Sequence, residues 1–201
     1  MKALLVPVKS FREAKNRLAG ALAPAARATL ARELGEIVLR AAHEMDKYVA
    51  CDDGEVADWA IAQGAIVLWT PGLGLSGAVS AGVEYLGRSE FDAVVVAHAD
   101  LPLVSDLRDF GVDGAVTLAP DWRDDGTNVA CVPATAGFRF AYGPGSFDRH
   151  QSEAARLGLA VEVVRDIALA SDVDLPSDLH LVRHLITAPT TNETREEQDR
   201  R

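Results

Sequence analysis

Two short segments near the middle of the chain carry the residue types that hold an anion: Asp124-Asp125-Gly126-Thr127-Asn128, and Tyr142-Gly143-Pro144-Gly145-Ser146-Phe147 followed by His150. Glycines allow the backbone to approach a ligand closely. The hydroxyls of Thr127 and Ser146 can donate to its oxygens, and a helix opening at Ser146 would turn free N–H groups the same way. A small phosphorylated or carboxylated acid suits such a pocket. Taken singly, either segment also reads as an ordinary hairpin turn, with Ser146 as a plain helix cap.

Four further places carry chemistry. Lys9, Arg12, Lys15 and Arg17 cluster within nine residues of an otherwise acidic chain, a positive patch of the size of a triphosphate; a solvated basic loop is the plainer reading. Pro71-Gly72-Leu73-Gly74-Leu75-Ser76-Gly77 could line a base or ribose with backbone amides, or simply join a strand to a helix. In His98-Ala99-Asp100-Leu101-Pro102 the carboxylate suits a magnesium ion bridging phosphates, or caps a following helix. In Asp172-Val173-Asp174 the alternation puts both carboxylates on one face of an extended segment, where one could share a metal with Asp100; Asp174 and Ser177 also fit as caps. His98 has no second histidine at ligand spacing and reads as a polar residue at a strand end.

These residues need a scaffold, and the apolar pattern supplies one. Runs rich in valine and isoleucine, Ala3 to Val8, Tyr48 to Cys51, Ala65 to Trp69, Ala93 to Ala97 and Ala115 to Leu118, read as strands buried on both faces. Helical patterns lie between them: one opened by Pro24, one from Val56 to Gln63 stopped at Gly64, one from Ala78 to Leu86 stopped at Gly87. Repeated β-α-β units imply parallel strands with right-handed crossovers, hence an open, mostly parallel α/β sheet with helices on both faces. In such a sheet ligands bind beyond the carboxyl ends of the strands, which is where the loops above fall. Asn128 to Val132 and Phe138 to Tyr142 read as a small β-hairpin insertion. A helix from Ser146 to Leu157, a strand from Leu159 to Val164 and a helix from Pro176 to about Leu185 complete one domain over residues 1–186. The polar stretch 187–201 is expected to be disordered.

A length of 201 residues fits one full core, and a net charge of −10 argues against nucleic-acid binding. Cys51 and Cys131 lie in apolar strands and read as buried free thiols. No run is long enough for a membrane span or signal peptide, so a cytoplasmic protein is expected. The composition leaves a homo-oligomer open.

Taken together, Val6-Pro7-Val8-Lys9 with Ala14-Lys15-Asn16-Arg17-Leu18, Gly74-Leu75-Ser76, His98-Ala99-Asp100-Leu101-Pro102, Asp125-Gly126-Thr127-Asn128, Tyr142 to Phe147 with His150 and Glu153-Ala154, and Asp172-Val173-Asp174 resemble the CofC/FbiD guanylyltransferases of coenzyme F420 biosynthesis. The order and spacing agree from Lys2 to about Leu185. The resemblance implies a Rossmann-like nucleotidyltransferase fold and transfer of GMP from GTP to a small phosphorylated three-carbon acid, with release of pyrophosphate. The acid is phosphoenolpyruvate in bacterial members and 2-phospho-L-lactate in archaeal ones. By the family's pattern Thr127, Gly143 and Ser146 bind the acid, and Asp100 and Asp174 hold Mg2+. Lys9, Lys15 and Arg17 are assigned to the triphosphate, Gly74 and Ser76 to the nucleotide, and Asp100 and Lys15 to catalysis. The chain departs from the pattern at Ser76, where the loop usually reads Gly-Leu-Asn, and at His98, where related enzymes carry a second acid. Related nucleotidyltransferases begin with a glycine-rich loop, whereas Pro7 to Arg17 contains no glycine. A non-catalytic sensor of GTP or a phosphometabolite is the reading from another class.

Overall fold

The computed structural model describes residues 1–186, so the stretch for which disorder is expected lies outside the described residues. Seven strands form one sheet in the order β3-β2-β1-β4-β6-β5-β7. They are β1 Lys2–Pro7, β2 Asp46–Cys51, β3 Ile66–Trp69, β4 Ala93–Ala97, β5 Val116–Pro120, β6 Thr127–Pro133 and β7 Val161–Val163. β3, β2, β1 and β4 run parallel. Only β6 runs against its neighbours, β4 on one side and β5 on the other, and β7 returns parallel to β5.

Successive strand residues feed opposite faces, as the period of two requires. Leu4, Val6, Val49, Cys51, Val95 and Ala97 join one buried cluster, which also takes residues of α1 Pro24–Arg40 and α2 Gly54–Ala62. Ala3, Leu5, Tyr48, Ala50, Val94 and Val96 join the other, with α3 Gly74–Gly87 and α4 Ser146–Arg156. Helices therefore cover both faces. Cys51 and Cys131 are buried free thiols.

The expected hairpin is placed differently. Asn128 to Val132 belongs to β6, whose hairpin partner is β5, and both edges of β6 are occupied. Phe138 to Tyr142 accordingly forms no strand. Its aromatic rings are packed inward, and its backbone donors are met by side chains: Arg139 N–H by Glu153, Ala141 N–H by His150 and Tyr142 N–H by Ser76. Two short helices follow, α5 Ile167–Ala170 and, after a 3-10 segment Pro176–Val182, α6 Arg183–Ile186. The single helix expected from Pro176 is thus mostly 3-10.

Candidate active site

The carboxyl ends of β1 and β4 face one cleft. After β1 the chain makes two 3-10 turns, Phe11–Glu13 and Asn16–Leu18. Buried Phe11 anchors them, edge-on to Trp59 at 5.3 Å with the Arg32 guanidinium 4.7 Å above its ring. Between the turns Lys15 adopts left-handed backbone, φ 55°, which costs a residue with a Cβ about 1 kcal/mol or more. Its side chain is only 9% exposed. Nζ donates to Asp100 Oδ2 at 2.5 Å and to Asp174 Oδ1 at 3.4 Å. Arg17 adds a bond to Asp174 Oδ2 at 3.0 Å.

Two local devices bring the second pair of carboxylates to Asp100. Val173 N–H donates to the Asp100 carbonyl, so the 172–174 segment is sewn to the end of β4. Asp178 accepts from the N–H groups of Asp174 and Leu175. The capping role falls to Asp178, leaving the Asp174 carboxylate to face the cations. Asn128 Nδ2 donates to the Leu169 carbonyl at 3.0 Å and reaches Asp172 Oδ1 at 3.5 Å. One oxygen from each of Asp100, Asp172 and Asp174 then lies within 4.8 Å of the others.

The electrostatics follow from this crowding. Burial and the neighbouring charges of Asp100 and Asp174 push the Asp172 carboxyl up to about 6. Burial also works against ionisation of Asp100, but Lys15 and His98 outweigh it and the carboxyl sits below its ordinary value. Lys15 loses solvation yet is held above its usual range by Asp100 and Asp174. Lys15 is the internal counter-ion of a site with more negative charge than one ammonium neutralises. Asp100 Oδ1 is buried without a hydrogen-bond partner. Three hard oxygen donors, one of them unsatisfied, fit a magnesium ion.

The second cluster adjoins the first through Asn128. Thr127 and Ser146 are 2% and 1% exposed. Thr127 N–H donates to Ser146 Oγ at 3.0 Å. His150 Nε2 accepts the Ala141 N–H at 3.0 Å, and Nδ1 lies 2.9 Å from Thr127 Oγ1. Burial, with the Arg149 charge, lowers the His150 imidazole to about 4, so at neutral pH it has one N–H. With Nε2 occupied as acceptor, that hydrogen is on Nδ1 and points at Thr127 Oγ1. Each hydroxyl oxygen therefore accepts one hydrogen bond inside the protein, which leaves its own O–H to donate elsewhere.

The α4 terminus contributes less than its sequence suggests. Ser146 N–H bonds to the Gly143 carbonyl, Phe147 N–H to the Asp125 carbonyl and Gly145 N–H to Asp125 Oδ1. Gly145, the N-cap, has φ 72°, and that left-handed turn sets Ser146 against Thr127. Arg149 clamps the loop from outside through the carbonyls of Ala141, Gly143 and Pro144. Neither Asp125 nor Arg149 stands out as a clamp in sequence, because both act on backbone.

Gly74 opens α3 at the cleft, and Ser76 Oγ accepts the Tyr142 N–H at 2.9 Å, so Ser76 ties the loop from Tyr142 to Ser146 to α3. Lys9 is exposed and lines the cleft, as does His98. The His98 ring packs 5.0 Å from Tyr142, and it is not among the clustered carboxylates. The structure thus gathers Lys15, Arg17, Asp100 and Asp174 into one group and Thr127, Gly143 and Ser146 into a second, with Gly74 and Lys9 along the cleft wall and Ser76 bonded to Tyr142 N–H.

The sequence profile of a family described as "Guanylyl transferase CofC like" matches residues 1–192. A phosphoenolpyruvate guanylyltransferase from Sphaerobacter thermophilus is 36% identical, the match covering 94% of this chain and 97% of the relative. A 2-phospho-L-lactate guanylyltransferase from Methanothermobacter thermautotrophicus is 32% identical, covering 87% of this chain and 81% of the relative. Among solved structures, a nucleotidyl transferase from Methanothermobacter shares the fold with a TM-score of 0.60 at 14% identity, over 92% of this chain and 97% of that one. Cleft, fold and sequence agree: the chain is a nucleotidyltransferase and belongs to the guanylyl transferase CofC-like family.

Proposed function

We propose that the chain transfers GMP from GTP to phosphoenolpyruvate with release of pyrophosphate, a reaction whose diphosphate-linked product belongs to coenzyme F420 biosynthesis. The observation that carries this reading is the pair of buried hydroxyls, Thr127 and Ser146, each with a spare O–H beside a cluster of cations and carboxylates. Preorganised neutral donors next to a charged site suit an acceptor anion that must meet a second anion.

In this reading the acid's phosphate oxygen attacks the α-phosphorus of GTP and pyrophosphate departs. The nucleophile is already ionised near neutral pH, so no side chain has to remove a proton. Lys15, Arg17 and Lys9 neutralise the triphosphate, and Thr127 and Ser146 hold the acid in line. Asp100, Asp174 and their neighbour Asp172 would hold Mg2+, which when bound neutralises charge on the phosphate oxygens. The loop Gly143 to Ser146, fastened by Arg149 and Ser76, keeps the acid from shifting.

Relatives named for 2-phospho-L-lactate support that acid as the second reading. The two acids differ by a planar methylene against a methyl on a tetrahedral carbon, a difference of shape worth about 1–3 kcal/mol. Steady-state turnover with GTP and magnesium fixed and each acid varied decides between them. A higher kcat/KM for phosphoenolpyruvate is expected; a clear preference for 2-phospho-L-lactate would reverse the assignment.

A further inference from the structure

The cleft does not end at the phosphate-binding groups. The cavity beside Lys15, His98 and Asp100 adjoins a second one: Pro7, Val8, Lys9 and Leu75 line both. The second runs across the carboxyl ends of β2 and β3 and is closed by Cys51, Asp52, Thr70 and Gly74. β2 and β4 flank β1, so Asp52 and Asp100 follow strands two spacings apart, about 10 Å. A ribose and a purine cover that span.

The walls of this end are largely apolar, Val8, Ala50, Leu75 and Ala78, and suit the faces of a purine. One charged group other than Lys9 stands at its edge. Of the two neighbouring aspartates, Asp53 is committed: its Oδ1 caps α2 through the N–H groups of Glu55 and Val56. Asp52 is exposed, and its one hydrogen bond among the described residues is a long one from Gly72 N–H, 3.5 Å. The backbone just before it is held, because Thr70 fastens the end of β3 to β2 through the Cys51 carbonyl. A carboxylate whose one hydrogen bond among the described residues is that long contact from Gly72 N–H, at the rim of a largely apolar recess, matches the adjacent N1–H and 2-amino donors of guanine.

We infer that Asp52 is the residue that selects guanine, accepting from N1–H and the 2-amino group while the opening turn of α3, which has no side-chain cap, faces the O6. The inference rests on the guanylyl transfer proposed above and adds the group that makes it specific. Adenine presents a lone pair at N1 where guanine has a hydrogen, so the same carboxylate repels it. A site built to satisfy hydrogen bonds rejects the analogue that lacks them. An asparagine in place of Asp52 offers one acceptor and one donor, which is the pattern of xanthine, with N1–H and a carbonyl at C2.

Binding of GTP, ITP, XTP and ATP to the full chain in magnesium, by calorimetry without any acceptor, tests this. The wild type should prefer GTP, and ITP, lacking the 2-amino group, should bind about tenfold or more weakly. Asp52→Asn should lose about 10- to 100-fold in GTP affinity and gain a comparable factor for XTP, with an unchanged melting temperature. A variant that keeps the wild-type order of nucleotides, or a wild type that binds ITP as tightly as GTP, overturns the role of Asp52 and leaves guanylyl transfer standing. A wild type that binds none of the four nucleotides overturns both.

Discussion

Lys15, Arg17 and three aspartates answer charge with charge, whereas Thr127, Ser146 and His150 answer it with neutral donors locked by buried hydrogen bonds. The first group is only partly satisfied within itself: Lys15 bonds to Asp100 and Asp174, a contact that a triphosphate taking Lys15 would displace, while Asp100 Oδ1 stands without a partner. The second has nothing to displace: each hydroxyl already has its internal partner and a free hydrogen. The charged half is built for ligands that bring their own counter-charge. On the function proposed above, the neutral half would take the acid through hydroxyls already fixed in direction, so its specificity would come from shape and direction.

The comparison breaks most visibly at Asp100. Replacing it by asparagine keeps the shape but removes the charge, and turnover should fall by about 10²–10³-fold with the melting temperature preserved. Wild-type rates in Asp100→Asn at saturating magnesium would deny that this half works by charge.

His150 sharpens the other side. Its folded value of about 4 lies below the ordinary 6.5, with burial first and the charge of Arg149 second as causes. Above pH 6.5 both folded and unfolded chains hold it neutral and its contribution is fully present. As pH falls from 6.5 through 4, the unfolded chain takes up a proton that the folded one refuses, and on the order of 3 kcal/mol of stability is lost. Denaturant midpoints measured across that range should drop for the wild type and show a shallower slope in His150→Gln; parallel slopes would mean the imidazole is not held neutral.

Ser146→Ala comes next. It removes one donor to an anion and should weaken the acid by about 1.5–3 kcal/mol. The GTP half-saturation should stay put, and an unchanged response to the acid would take Ser146 out of the site. Smallest is Lys15→Met, where loss of one phosphate contact should raise the GTP half-saturation about tenfold. The acid's should change little; the opposite pattern would mean the two subsites are exchanged.

The parallel half of the sheet was legible because strands buried on both faces advertise themselves as unbroken apolar runs, as in Val94-Val95-Val96-Ala97. The charged residues were legible for a related reason: Lys9 and Asp100 stand where such runs end. β6 was not, since nothing local in Thr127 to Pro133 says that it runs antiparallel between β4 and β5. The segment Phe138 to Tyr142 misleads in the same way, alternating like a strand while its N–H groups are spent on Glu153, His150 and Ser76. Thr127 and Ser146 could be picked out as hydroxyls. The bond from Thr127 N–H to Ser146 Oγ, and the histidine that occupies a lone pair of Thr127 Oγ1, depend on contacts 19 and 23 residues apart. Lys15 was readable as a cation, but its burial between two aspartates depends on a left-handed turn that its neighbours do not announce.

If the two halves act on one phosphorus, phosphorus magnetic resonance can follow that atom. GTP, magnesium and phosphoenolpyruvate incubated with the enzyme should give pyrophosphate and a new diphosphate ester in equal amounts, with no inorganic phosphate. GTP left unchanged, or consumed to GDP and phosphate with the acid untouched, would contradict the account.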